Sequence, residues 1–244
     1  MSWRELLQHP AHDHLVQVYR DRDFLAEAVT HYLREGLRLG EAGLVIARPE
    51  NRRLFAAGLR GANAVHMLDA DQTLAAFMVD GMPEWKAFQR VCGGAIRELR
   101  LQYPGVRAYG EMVDILWQRG ERTAALRLED FWNDLRREQP FSLLCAYAMD
   151  PLQADAYGGA LESVCRCHTH LIPARDYERF NHAVLDAAKA TLDQPLAQML
   201  ISLAARYRPQ TEMPVGQAAL LWLRQNMPRT ADRVLEDVRL RLHG

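Results

Sequence analysis

The chain has 244 residues, 49% hydrophobic and 25% charged, with a formal charge of −1 from 30 Lys+Arg against 31 Asp+Glu. That profile fits an ordinary globular chain long enough to bury a sizeable core, and its balance of signs argues against nucleic acid or an anionic membrane as partner. Only Lys86 and Lys189 are lysines, and neither stands in a G-x-x-x-x-G-K-[ST] context, which excludes ATP hydrolysis through a phosphate loop of that kind.

Residues 14–19 read as a first strand, followed by a helix over about 23–39 with Leu25, Ala28, Val29, Tyr32 and Leu33 at i, i+3, i+4 spacing. Gly40 stops this helix, and residues 43–47 form a nearly all-apolar second strand. Pro49 opens a second helix at the position where its missing N–H costs nothing. Residues 64–68 are a third strand, running into Asp69-Ala70-Asp71, where Asp is a good N-cap for the next helix. Two helical stretches, about 71–79 and 84–102, are broken by Gly81-Met82-Pro83.

Residues 106–109 form a fourth strand, and Gly110-Glu111 turns it into a helix over 112–118. A longer helix over 122–137 carries the stripe Ala124, Leu128, Phe131, Trp132 and Leu135, with Glu129, Asp130 and Asp134 on what reads as its solvated face. Residues 141–147 are a fifth strand, apolar on both faces as a central parallel strand should be. The β-α-β-α order predicts an α/β fold with a mainly parallel sheet, helices on both faces and right-handed crossovers. After Pro173 no strand-like run remains, and residues 174–244 read as an all-helical appendage of three or four helices separated by Pro195, Pro209, Pro214 and Pro228. Its Leu220, Leu221, Leu223, Val234, Leu235, Val238, Leu240 and Leu242 are too many apolar residues for a solvated extension, so they are expected to pack on the α/β body or on a second copy.

No apolar run is long enough to cross a bilayer, and the N-terminus shows no apolar h-region of a secretory signal. Cys92, Cys145, Cys165 and Cys167 lack the spacing of a disulfide framework, so a reducing cytoplasm is the expected compartment.

The stretch from Tyr32 to Leu44 resembles the helix and strand that follow the phosphate loop in RecA-like domains of the circadian-clock ATPase (KaiC-like) kind. At the positions of the phosphate-binding Lys and Ser/Thr stand Leu25 and Ala26, and Arg20-Asp21-Arg22-Asp23 replaces the glycine-rich loop. The cradle of N–H groups is gone, and two carboxylates repel an anion. A closer set of motifs is His14-Leu-Val-Gln-Val-Tyr19, the Gly-Glu-Ala-Gly-Leu44 entry to the second strand, Tyr109-Gly-Glu-Met-Val-Asp114 with Trp117, Leu128-Glu-Asp-Phe-Trp-Asn-Asp-Leu135, Phe141-Ser-Leu-Leu-Cys-Ala-Tyr147, and Cys167-His168 ahead of Leu171-Ile-Pro173. In this order they resemble the MEDS domain, the methanogen/methylotroph DcmR-type sensory domain, over residues 12–173. The resemblance implies a RecA-like (KaiC-like) three-layer fold lacking the phosphate loop, used as a sensory module, often fused to histidine kinases or DNA-binding modules and thought to bind small organic molecules.

In a doubly wound sheet the ligand crevice lies beyond the carboxyl ends of the strands, which directs attention to residues 19–23, 48–50, 68–71, 109–114 and 147–150. Glu111 is the leading candidate, placed near a helix N-terminus; the competing roles are capping that helix or pairing with Arg48 or Arg20. Tyr109 and Trp117 are placed to wall an apolar pocket, unless they are simply core, and Tyr19 occupies the site vacated by the phosphate loop. The expected ligand-binding set is Tyr19, Arg48, Tyr109, Glu111 and Trp117. His14, at the opposite end of its strand, reads as a bonded structural histidine.

Cys165-Arg-Cys-His-Thr-His170 is the one segment of metal-like composition, but adjacent residues rarely close a tetrahedron and no second cluster is spaced for one. His9, His12 and His14 recur at alternate positions and make a weaker case still. No metal and no cofactor are expected. No Gly-x-Ser-x-Gly occurs, and Cys145 sits in an apolar strand where a thiol is inert, so no catalytic residue is expected.

The leading reading is therefore a non-catalytic cytoplasmic sensory domain that binds a small organic molecule and relays to a signalling partner, a kinase or regulator, with homo-oligomerisation also expected. A degenerate RecA-like nucleotide-binding protein is one alternative. A transcription regulator is another, although residues 214–244 carry five Arg against three acids, a mild bias for phosphate contacts. A pure interaction module is the third.

Overall fold

The computed structural model describes residues 3–8, 13–153, 156, 159–172, 174–206 and 211–243. His9, His12, Pro173 and Pro209 lie outside them, so the alternate-histidine pattern and the expected domain boundary fall there. Eight strands appear: β1 (His14–Tyr19), β2 (Ala42–Ala47), β3 (Val65–Asp69), β4 (Met78–Val79), β5 (Met82–Pro83), β6 (Val106–Gly110), β7 (Ser142–Ala148) and β8 (His170–Ile172). Six of them form one sheet in the order β3-β2-β6-β7-β1-β8, and every pair in it is parallel. All positions of β1, β2 and β6 are buried, as expected of strands covered on both faces. β3, at one edge, is only partly covered.

One face of the sheet carries α1 (Trp3–Gln8), α2 (Arg22–Arg38) and α3 (Pro49–Gly58), packed on Leu15, Val45, Tyr109 and Leu144. Asp21 caps α2, its Oδ1 accepting from the Asp23 N–H at 2.8 Å. Three short helices come next, α4 (Ala70–Ala75), α5 (Trp85–Phe88) and α6 (Gly94–Arg100). The opposite face, with Val16, Val18, Ile46, Leu143 and Tyr147, receives α7 (Met112–Gln118), α8 (Arg122–Glu138) and α9 (Ala160–Cys165).

The appendage supplies α10 (Tyr177–Thr191), α11 (Gln194–Arg206), α12 (Val215–Asn226) and α13 (Pro228–His243). Leu220, Leu221, Leu223, Val234, Leu235 and Val238 are buried in the same cluster as Leu161, Val164 and Leu171 of the body. Leu240 departs from the expectation, being 67% exposed. Among the described residues no helix is long and apolar enough to cross a membrane.

Several local expectations change. The helix expected over 71–79 stops at Ala75, and β4 and β5 pair antiparallel around Asp80-Gly81, whose φ values of 48° and 77° are those of a type I′ hairpin turn. The helix expected over 84–102 is interrupted by a wide π-helical turn at Gln89–Gly93. β8 was not expected; it extends the sheet beyond β1 and is bridged in turn by Glu212. Glu129 is not on the solvated face of α8: it is fully buried, whereas Asp130 is exposed. At 100° per residue, position 129 falls in line with Ala125 and Trp132, so geometry places it on the buried stripe despite its charge.

Candidate functional site

β1 and β7 are neighbours whose chains leave in opposite directions. From β1 the chain crosses to β2 through α2 on one face, and from β7 it crosses to β8 through α9 on the other. The loops beyond their carboxyl ends therefore part, which is the topological switch point where open α/β sheets bind ligands. A cavity of about 330 Å³ lies there. Its apolar wall is Val18, Tyr19, Phe24, Leu152, Phe180 and Leu242, so α10 and α13 close what β1 and the loop after β7 begin. The charges around it are engaged with one another: Arg20 with Asp150 at 3.5 Å and Arg175 with Asp21 at 3.5 Å, while Arg179 Nη2 donates to the Leu242 carbonyl at 3.1 Å. Arg175 also lies over the Phe24 ring, 5.7 Å from its centre.

Of the five residues expected to bind a ligand, Tyr19 alone lines this cavity. Its ring is 5% exposed, and burial pushes the phenol up, helped by the nearby carboxylates of Asp114 and Glu111. Glu111 and Tyr109 are wholly buried behind it. One oxygen of Glu111 accepts the backbone N–H of Arg48; the other accepts from Asn51 Nδ2 at 2.7 Å and Tyr109 Oη at 3.3 Å. Glu111 thus holds the start of α3, where the helix dipole favours an anion, rather than capping α7, which it precedes. Burial pushes its carboxyl above the usual range, against the pull of these hydrogen bonds.

The Arg48 guanidinium reaches Asp114 at 2.9 Å, and Asp114 also accepts from Gln118 Nε2 and from the Ala148 N–H, each at 3.0 Å. Asp114 ties β2, α7 and β7 together just behind the cavity. Sequence reasoning placed it in a searched segment but gave it no role. Trp117 stands apart, half-buried against Tyr147 with the Arg122 guanidinium 5.2 Å from its ring centre, and lines a separate groove with Gln118 and Met149.

The Cys/His segment is split by the fold. Cys165 is buried at the end of α9, Cys167 Sγ faces the Ser163 carbonyl, and His170 lies between Asp13 and Glu212. Of these four, His168 is the one that meets His14, Glu129 and Cys145. His14 is bonded as expected, Nδ1 to Asn133 Oδ1 at 3.0 Å. Burial holds the His168 imidazole down to about 3 and pushes the Glu129 carboxyl up to about 8. The signal that joins these residues is pairing: β1 beside β7 puts His14 and Cys145 on one face, below Glu129 of α8.

A family model described as MEDS, the MEthanogen/methylotroph, DcmR Sensory domain, matches residues 13–169. No curated protein and no solved structure matches the chain. The matched stretch runs from the entry of β1 to the entry of β8 and leaves α10–α13 outside it.

Proposed function

The chain belongs to the MEDS family of sensory domains, and on that premise we propose that it is a non-catalytic sensory module that binds a small organic molecule in the switch-point cavity and relays its presence to a signalling partner. The observation that carries this reading is the position of the cavity: at the switch point, yet closed by helices from outside the family domain. A molecule held there touches the sensory body and the appendage together. At about 330 Å³ the cavity suits a small ligand. Its aromatic and aliphatic walls and mutually paired charges favour an uncharged or weakly polar one. A nucleotide is disfavoured because the Asp21 carboxylate already occupies the start of α2, where a phosphate would have to sit.

The reading places the module in the cytoplasm, with a kinase or transcription regulator as partner and self-association as a further mode of relay. Thermal shift against a panel of small uncharged organic molecules tests it, using the wild type and Leu152→Trp, which fills the cavity from a partly exposed position. A ligand that binds only the folded state raises Tm in proportion to its occupancy. Hits that Leu152→Trp abolishes support the cavity; a panel without such hits, or hits indifferent to the substitution, overturns it.

A further inference from the structure

At the other end of β1 from the cavity, four side chains from three elements and a loop converge: His14 of β1, Glu129 of α8, Cys145 of β7 and His168 ahead of β8. Each offers one metal-ligand atom, and these atoms all lie within 4.8 Å of one another. His14 Nε2 is 3.3 Å from Cys145 Sγ and 3.4 Å from Glu129 Oε2. His168 Nε2 is 3.4 Å from Glu129 Oε1, and Cys145 Sγ is 3.7 Å from Glu129 Oε2. A tetrahedral Zn²⁺ with bonds of about 2.0–2.3 Å holds its donor atoms roughly 3.3–3.6 Å apart. We propose that His14, Glu129, Cys145 and His168 form a buried structural Zn²⁺ site.

The surrounding hydrogen bonds fix both imidazoles in the ligating tautomer. His168 Nδ1 lies 2.6 Å from the Val164 carbonyl, which can only accept, so that nitrogen carries the proton. Asn133 Nδ2 donates to the Cys167 carbonyl, which turns Asn133 Oδ1 towards His14 Nδ1 and protonates that nitrogen as well. Both Nε2 lone pairs then point into the cluster, and His168 Nε2 is buried there without a hydrogen-bond partner among the described residues. Tyr147 Oη donates to Glu129 Oε1 at 2.6 Å, which fixes the carboxylate and leaves Oε2, the oxygen beside His14 and Cys145, without that bond. Such outer partners are what metal-bound histidines and carboxylates carry.

Charge points to the same ion. A carboxylate and a thiolate beside two neutral imidazoles balance one divalent cation, so the loaded site is neutral in a region from which water is shut out. Mixed N, O and S donors in a tetrahedron suit zinc. Four protein donors, none more than 3% exposed, leave no open position for a reacting water, which makes the role structural. The ion would pin α8 and the entry of β8 to the sheet.

The full-length chain, purified without chelator, is expected to retain one zinc per chain by elemental analysis. After exchange with Co²⁺ it should show thiolate-to-cobalt absorption and the intense visible bands of tetrahedral cobalt. Cys145→Ser should remove the thiolate absorption, and His168→Gln should remove stoichiometric zinc. A folded wild-type chain that takes up neither ion, or a cobalt spectrum without the thiolate band, overturns the proposal. So does uptake unchanged in both variants. Should either variant fail to fold, the wild-type cobalt spectrum decides alone.

Discussion

Arg107 is the bulkiest charged side chain buried among the described residues, 2% exposed in the middle of the sheet, and its donors account for its being there. Nε reaches Glu41 at 2.6 Å, Nη1 donates to the carbonyls of Leu7 and Tyr32 at 2.9 and 3.0 Å, and Nη2 to that of Gln8 at 3.0 Å. One guanidinium thus closes the end of α1 and ties it to α2. Gly36 makes room for it: a Cβ there would come within 2.5 Å of Arg107 Cδ. Arg107→Met should cost about 3–5 kcal/mol in chemical denaturation, because Glu41 and three carbonyls lose their donor together. Glu111 gives a pH-dependent test. Its folded-state carboxyl is raised by burial, so its contribution is fully present below the unfolded pKa and is lost as pH rises through the folded one. The wild type should therefore lose stability relative to Glu111→Gln as pH rises from the acid side of the carboxylate range to neutrality. Urea midpoints for both proteins across that range check it; a difference moving the other way would mean that the bonds from Arg48 and Asn51 outweigh burial.

Among the elements, α12 is the most deeply set of the appendage, with Gly216 through Leu221 all buried. Gly216 lets it approach α10: a Cβ would stand 3.1 Å from Val184 Cβ and 3.2 Å from the Asn181 carbonyl. Gly216→Val should destabilise by about 1–3 kcal/mol through overpacking, read as a lower urea midpoint. Removing residues 209–244 should expose Phe180, Val184 and Leu171 and cause aggregation or a larger species on gel filtration. The appendage and most of the sheet are legible because their signals are local: nearly all-apolar runs for β2 and β7, a β-branched and aromatic run for β1, and 3.6-residue stripes for α2 and α8. β8 is not, because three residues carry no period and it is held from both sides by distant chain, β1 and Glu212. α1 is hidden likewise, its carbonyls being met by an arginine about a hundred residues away. At the site, Tyr19 could be found from the strand-end rule alone. Phe180 and Leu242 could not, since only tertiary packing brings them to β1. Glu129 hides in the sequence because its charge points to solvent while its place in the helical period points to the core.

On the scale of the whole molecule, the cavity exists only while α10 and α13 are docked, since the family domain supplies Tyr19, Phe24 and Leu152 and the appendage supplies Phe180 and Leu242. On the proposed function, ligand binding and helix docking are then linked, and each must strengthen the other by the same factor. Besides its buried Val234, Leu235 and Val238 and the bond from Arg179, α13 is anchored by Arg239, which donates to the Leu152 carbonyl through Nε at 2.9 Å and Nη2 at 2.7 Å, fastening the helix to the loop after β7. Arg239→Ala should lower stability by about 1.5–3 kcal/mol, the worth of a charge-assisted bond to a carbonyl. It should also weaken binding of any cavity ligand in proportion to the fraction of chains in which α13 leaves its seat, by at most the roughly 10–150-fold equivalent of that energy, because only the docked form is competent. Hydrogen exchange supplies the reciprocal measurement: ligand should slow exchange in α10 and α13 of the wild type, and less so in the variant. An Arg239→Ala protein whose α13 exchanges as an undocked helix, yet which binds with unchanged affinity, would uncouple the appendage from the cavity. The relay would then have to leave the domain by another face.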